Sequence, residues 1–230
     1  MEQWETGRFV TDSQDGMMVV VGVASRHVRR EDEILAAKSD AARKVAMFHG
    51  MGGIVESFHR TGANFFDFIF DSQIRLEYAV DYRQFVDRLQ FDPGCDVLII
   101  DTGTLVRFRY PVEVTRVDFV GTMNADGRPS WLDSRNLPEI DGYTVAVGVS
   151  RNHRWLRDTV MRSTQASAAR IIQDMSIRIQ TTEVAVAGTG SVLYISTRSE
   201  GILDSFRVIE FWIDPGSWYV YTLGIARFVD

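Results

Sequence analysis

A repeat constrains this chain more than any other feature. Asp15-Gly16-x-x-Val19-x-Val21-Gly22-Val23, followed by His27 and Asp32, returns as Asp141-Gly142-x-x-Val145-x-Val147-Gly148-Val149, followed by His153 and Asp158. The offset, 141 less 15, is 126 residues throughout. After a one-residue slip, Ala41-Ala42-Arg43 returns as Ala168-Ala169-Arg170. One supersecondary block is used twice. In 230 residues this predicts a first unit over 1–122, a linker over 123–140 rich in Asn, Asp, Gly, Pro and Ser, and a second unit over 141–230. Each unit is long enough to bury a core without staples.

Within each unit the pattern runs strand, long helix, antiparallel meander. The β-branched runs 17–23 and 143–149 are buried strands, the first preceded by an Asp15-Gly16 turn. Asp32 and Asp158 offer helix N-caps. Ile34, Leu35, Lys38, Ala41, Ala42, Val45, Ala46 and Phe48 form one helical stripe. Val160, Met161, Thr164, Ala168, Ile171, Ile172, Met175 and Ile179 form the other. The aromatic stretch 64–71 predicts a strand. Segment 74–91 fits a helix or a broken alternation. The match of Phe91-Asp92-Pro93-Gly94 to Ile213-Asp214-Pro215-Gly216, a turn tetrad, favours a strand over 84–91. Further strands are predicted over 97–101, 104–110, 112–120, 183–187, 191–197, 206–213 and 218–228. The fold class is α+β, two repeated units each with a long helix packed on a curved antiparallel sheet.

These residues resemble the small bacterial envelope lipoproteins typified by the twenty-kilodalton surface lipoprotein, and the amino-terminal domain of the flagellar protein FlgT. The likeness is carried by the strands ending Val-Gly-Val ahead of an Ala-rich helix (Ala41-Ala42-Arg43, Ala168-Ala169-Arg170). Phe206-Arg207-Val208-x-x-x-Trp212, leading through Asp214-Pro215-Gly216 into Tyr219-Val220-Tyr221-Thr222-Leu223, carries it too. It covers most of 141–230 and less of the first copy. The resemblance implies dodecin-like units, a helix cradled by a curved sheet. It also implies export, a lipid anchor in many members, and no established catalysis. This sequence departs in having two copies and no lipid-attachment cysteine near its start.

Composition narrows the function classes. A net charge of −6 argues against a general nucleic-acid binder and against electrostatic attachment to anionic lipid. Cys95 is alone, so neither an intramolecular disulfide nor a cysteine metal cluster is expected. No apolar run is long enough to span a bilayer. Met-Glu-Gln-Trp lacks the basic stretch and apolar run of a signal peptide, and a signal removed ahead of it would leave the same text.

Several residues invite chemistry. Leu98-Ile99-Ile100-Asp101-Thr102-Gly103-Thr104 is similar to an aspartic-protease loop, in which two carboxylates share a proton. The second copy supplies no matching Asp, and Asp-Thr-Gly between two strands is a hairpin turn. His27 and His153 occupy equivalent positions and can meet across a pseudo-twofold to bind metal, although no ligand spacing accompanies them. Arg26, Arg29 and Arg30, with Arg151, Arg154 and Arg157 in the other copy, make a basic cluster ahead of each helix that suits an anionic ligand or partner or a solvated loop. His49-Gly50-Met51-Gly52-Gly53 and Gly188-Thr189-Gly190 lack the context of a phosphate loop and are expected to be turns.

The sequence therefore predicts a non-catalytic, cell-envelope-associated binding or assembly module, a lipoprotein or a flagellar or envelope accessory protein. Its binding candidates are His27, His153, Arg26, Arg30, Arg151 and Arg154. No catalytic residue, metal or cofactor is assigned. Envelope proteins or self-association supply the partners. No nucleic acid is expected, and membrane contact comes only through an anchor outside this chain. The alternatives are a hydrolase centred on Asp101 and a small-molecule carrier whose concave sheet presents Phe66, Phe68, Trp212, Trp218 and Tyr219. The compartment is the envelope or periplasm, with the cytoplasm left open.

Overall fold

The computed structural model describes residues 7–11, 13–14, 16–62, 71–94, 96–117, 119, 121–151, 154–175, 178–187 and 190–229. In the first half these form β1 (Arg8–Val10), β2 (Ser13–Gln14), β3 (Met17–Ser25), α1 (Arg30–Phe48), β4 (Met51–Gly62), β5 (Asp71–Tyr78), β6 (Val97–Ile100) and β7 (Gly103–Glu113). The second half forms β8 (Thr144–Ser150), α2 (Leu156–Met175), β9 (Arg178–Ala187), β10 (Gly190–Ile213) and β11 (Val220–Val229). Every strand pairing among the described residues is antiparallel. The fold is mixed α+β.

The repeat keeps its offset through the helix. α1 begins at Arg30 and α2 at Leu156, 126 residues apart. A Cβ added at Gly22 would overlap the Ala37 carbonyl, and one added at Gly148 would overlap the Ser163 carbonyl, again 126 apart. The one-residue slip suggested by Ala-Ala-Arg is therefore absent; those triplets are a local coincidence of small helix-facing residues. Each glycine lets its helix lie directly on its strand. α1 and α2 then meet the strand edge through side chains. Lys44 Nζ donates to the Val21 carbonyl at 2.7 Å and Val23 N–H donates to Asp40 at 3.0 Å. Ser163 and Ser167 donate to the carbonyls of Gly148 and Ala146, each at 3.0 Å. A helix that satisfies a strand's outer row also guards it against pairing with another chain.

The two sheets are β2-β3-β7-β6 and a larger one ordered β5-β4-β10-β11-β8, with β1 and β9 also paired to β10. The first half thus does not keep its meander to itself. β4 runs along β10 from Met51↔Leu203 to Gly62↔Val192. Alternation along β3 serves two cores. Met18, Val20 and Ala24 pack with α1, Val106, Phe108 and Tyr110, while Val21 and Val23 pack with Phe211, Ile213, Leu156 and Val220 of the second half. A third core joins Met47, Met51 and Val55 to Ile171, Ile172, Leu203 and Phe206. The boundary drawn at 123–140 separates copies in sequence, and buried apolar packing crosses it.

That linker lies over the remaining face of the large sheet. Trp131 and Val117 bury against Ile209, Trp212, Leu223 and Ile225. Glu210, on β10, holds the arrangement together. Its carboxylate accepts from Arg8 at 2.6 and 2.8 Å and from the Trp131 indole N–H at 2.7 Å.

Several expectations are corrected. Segment 84–91 is not a strand. Tyr82–Arg88 is a 3-10 helix whose N-cap Asp81 accepts from Arg83 N–H, and it sends Phe85 into the α1 core, with Leu89 just beyond it. Only Gln90 bridges to Arg109. The two Asp-Pro-Gly tetrads do make the same turn: Gly94 and Gly216 N–H donate to the side chains of Asp92 and Asp214, and Asp96 and Trp218 N–H donate to the carbonyls of the same aspartates. Only what precedes them differs, β10 before the second and the isolated Gln90 bridge before the first. No strand follows Glu113 over 114–117, and 191–197 and 206–213 are parts of the single strand β10. Asp32 sits in the first turn of α1, the cap position being Arg29 with no side-chain cap bond; Asp158 likewise lies in the first turn of α2. Ile179 belongs to β9, and Leu35 faces outward. Segment 64–70 lies outside the described residues, as does Gly188-Thr189.

Ala42 and Ala169 are both buried. Ala42→Leu and Ala169→Leu should each lower the thermal unfolding midpoint, an overpacking cost of about 1–3 kcal/mol. Lys38→Ala, on the partly exposed edge of α1, should change it little. Unchanged midpoints for both leucine variants would contradict this packing.

Candidate functional site

The two strand-to-helix loops, which carry the basic clusters, are built differently. In the first, Glu33 projects inward from the first turn of α1 with its side chain 1 % exposed. Its carboxylate accepts from the His27 backbone N–H at 3.0 Å, from Arg30 at 2.6 Å and from the Thr104 hydroxyl, and lies 3.9 Å from Arg26. Arg30 also donates to Thr104 at 3.1 Å, which ties the loop to the start of β7. Arg29 pairs with Asp32 at 3.8 Å. Arg26 and Arg30 are thus committed to an internal latch. His27 is exposed and contributes its backbone to that latch.

Burial alone would raise the Glu33 pKa, but the bonds from Thr104, His27 N–H and Arg30 outweigh it and hold the carboxyl below its ordinary value. A depressed folded-state pKa stabilises fully above the unfolded value, about 4.3, and that contribution fades as pH falls through the folded value. Glu33→Gln should therefore flatten the acid limb of stability against pH. Parallel limbs in parent and variant, measured by urea unfolding across the acid range, would refute it.

The second loop has no such carboxylate. The position equivalent to Glu33 is Thr159, whose hydroxyl donates to the Trp155 carbonyl at 3.1 Å and so closes the first turn of α2. Leu156 stands where Arg30 does and packs with Val160 and Val220. Arg157 turns inward to Asp40 of α1, 3.7 Å away. Arg151 and Arg154 remain at the surface, and the Arg154 guanidinium stacks on the Trp155 ring at 5.0 Å. His153 lies outside the described residues, so the pairing of the two histidines is not described.

The other candidates fall apart in space. Asp101 sits in the exposed two-residue turn joining β6 to β7, and no second carboxylate is set against it among the described residues. Trp212 is buried beneath the linker beside Tyr221 and Trp218 stands out in solvent, so these two described members of the set do not share a pocket; Phe66 and Phe68 lie outside the described residues. The interior space between Lys44, Thr164, Val20 and Phe206 measures about 10 Å³, room for one water at most. Among the described residues no three His, Cys, Asp or Glu side chains converge.

Sequence reasoning missed the side chains that do most to fix the site: Glu33, the Asp40–Lys44 pair at 2.9 Å, and Glu210. Glu33, three residues after Arg30, and the Asp40–Lys44 pair, four residues apart on α1, left helical spacings as a trace, and Glu210 left none. No family model, curated protein or solved structure matches this chain.

Proposed function

We propose that the protein is a non-catalytic binding or assembly module of the bacterial cell envelope, built from two dodecin-like units and related to the envelope lipoproteins it resembles. The observation that carries this reading is the use made of buried charge. Glu33, Asp40, Lys44, Asp96, Arg207 and Glu210 each join separate elements of the fold. Buried ionisable groups held this way stabilise a scaffold, whereas a catalytic group needs a poised pKa and access to substrate. What faces outward instead is an end of the molecule bearing arginine and tryptophan, suited to contact with a partner.

Fractionation of cells producing the full gene product tests the envelope assignment, with recovery in the envelope fraction expected; a wholly cytoplasmic protein would overturn it. For the absence of catalysis, purified parent and Asp101→Asn should be alike in peptidase assays. A peptidase activity lost in a folded Asp101→Asn variant would refute the reading.

A further inference from the structure

The second loop and the β10–β11 turn place two exposed indoles at one end of the large sheet. Ser150 pairs with Val220, so the turn holding Trp218 lies beside the start of the loop that carries Arg151, Arg154 and Trp155. Leu156 and Val220 share one core, which fixes the two segments side by side. Trp155 is 46 % exposed, Trp218 41 % and Val149, at the end of β8, 52 %. A lone exposed apolar residue is ordinary, but a cluster with two tryptophans is not.

The turn is built to present Trp218. Asp214 accepts from Gly216 N–H at 2.9 Å and from the Ser217 hydroxyl at 2.5 Å, while Trp218 N–H donates to the Asp214 carbonyl at 2.8 Å. This leaves Trp218 at φ 59°, a left-handed conformation that glycine adopts without strain and a bulky residue does not. An indole held outward at a position suited to glycine marks a use outside the fold.

Charge decides the occupant. In the first copy the arginines of the equivalent loop are neutralised by Glu33 and Asp32. Arg151 and Arg154 have no carboxylate partner among the described residues, and Asp158 lies in the first turn of the helix that follows. Indole rings favour the headgroup level of a bilayer, and guanidinium groups pair with phosphate. We propose that this end docks on a phospholipid surface, with Trp155 and Trp218 among the headgroups and Arg151 and Arg154 on lipid phosphates. The net charge of −6 opposes any general attraction to anionic lipid, so adsorption is confined to this end. The proposal rests on the envelope reading and names the surface that module meets.

The test is co-sedimentation of the whole chain with vesicles of phosphatidylcholine, with and without phosphatidylglycerol, alongside tryptophan emission. Trp131 and Trp212 are buried, which leaves Trp155 and Trp218 as the described reporters. Binding to the mixed vesicles with a blue shift is expected. Removing either charge, by Arg151→Gln or Arg154→Gln, should weaken binding to the mixed vesicles about fivefold. Trp155→Ala and Trp218→Gly should remove the blue shift, and the glycine, relieving a left-handed tryptophan, keeps the fold intact. Failure to bind either vesicle, or binding indifferent to all four substitutions, overturns the proposal, as does an end that takes up a protein partner and leaves lipid alone. Failure on vesicles together with envelope recovery on fractionation sinks this proposal alone. Cytoplasmic recovery sinks the envelope reading as well.

Discussion

Gly148→Ala should cost the fold about 3 kcal/mol or more, and Gly22→Ala a similar amount. At Gly148 the added methyl would overlap the Ser163 carbonyl and the Ser167 N–H, and at Gly22 the Ala37 carbonyl. These obstacles are helix backbone, which cannot rotate away as a side chain can. The helix must lift from the strand, and the contacts that travel with it loosen. At Gly148 those are the bonds from Ser163 and Ser167; at Gly22 they are Asp40 and Lys44. With total stability on the order of 5–15 kcal/mol, either variant approaches unfolding near room temperature. Gly52→Ala is the control, because nothing lies within 4 Å of its added Cβ. Urea unfolding of the three variants checks this. Midpoints for Gly22→Ala and Gly148→Ala close to that of Gly52→Ala would mean that the helices do not cross where the structure puts them.

Glu210→Ala should be comparably severe, about 3–5 kcal/mol, because it strands a partly buried guanidinium. The Trp131 indole N–H, fully buried, loses its acceptor at the same time. The damage should be local before it is global. Once Trp131 is released, the linker over Trp212 and Leu223 keeps only the partly buried Leu132, Leu137 and Ile140 against the sheet, and cleavage after the exposed Arg135 by an arginine-specific protease should accelerate well before the core melts. Trp131→Phe keeps the ring and loses one bond, a cost of about 1–3 kcal/mol. If Glu210→Ala is no weaker than Trp131→Phe, the Arg8 contact contributes nothing.

The contrast between what the chain discloses and what it hides follows from locality. β3, β8 and both helices were legible because their signals are local: β-branched runs, then an apolar stripe at helical spacing. The repeat set Gly22 and Gly148 at matching positions, but nothing local marked them as the points where the helices cross. The 3-10 helix at Tyr82–Arg88 was not legible, since Phe85 and Leu89 suit a helical turn and a broken strand equally, and the decision came from the α1 core beneath them. The pairing of β4 with β10 could not be read either. A strand's sequence fixes which residues alternate, not which distant edge will accept its backbone. In the site, the arginine clusters were visible but their fates were not. Glu33 cancels one set, and Thr159, its counterpart, leaves two arginines of the other without a carboxylate among the described residues.

The central strand β10 has a consequence for how the protein is made. β1, β4, β9 and β11 all depend on residues 190–213 for their hydrogen bonds, and β5 depends on β4. The strand that organises the large sheet thus emerges from the ribosome only after β1, β4, β5 and β9 have been made. Until it does, the β4–β5 hairpin has an open edge and the core around Met47 and Val55 lacks its floor. The large sheet must await residues 190–213, and long-range pairing of this kind is slow and exposed to aggregation.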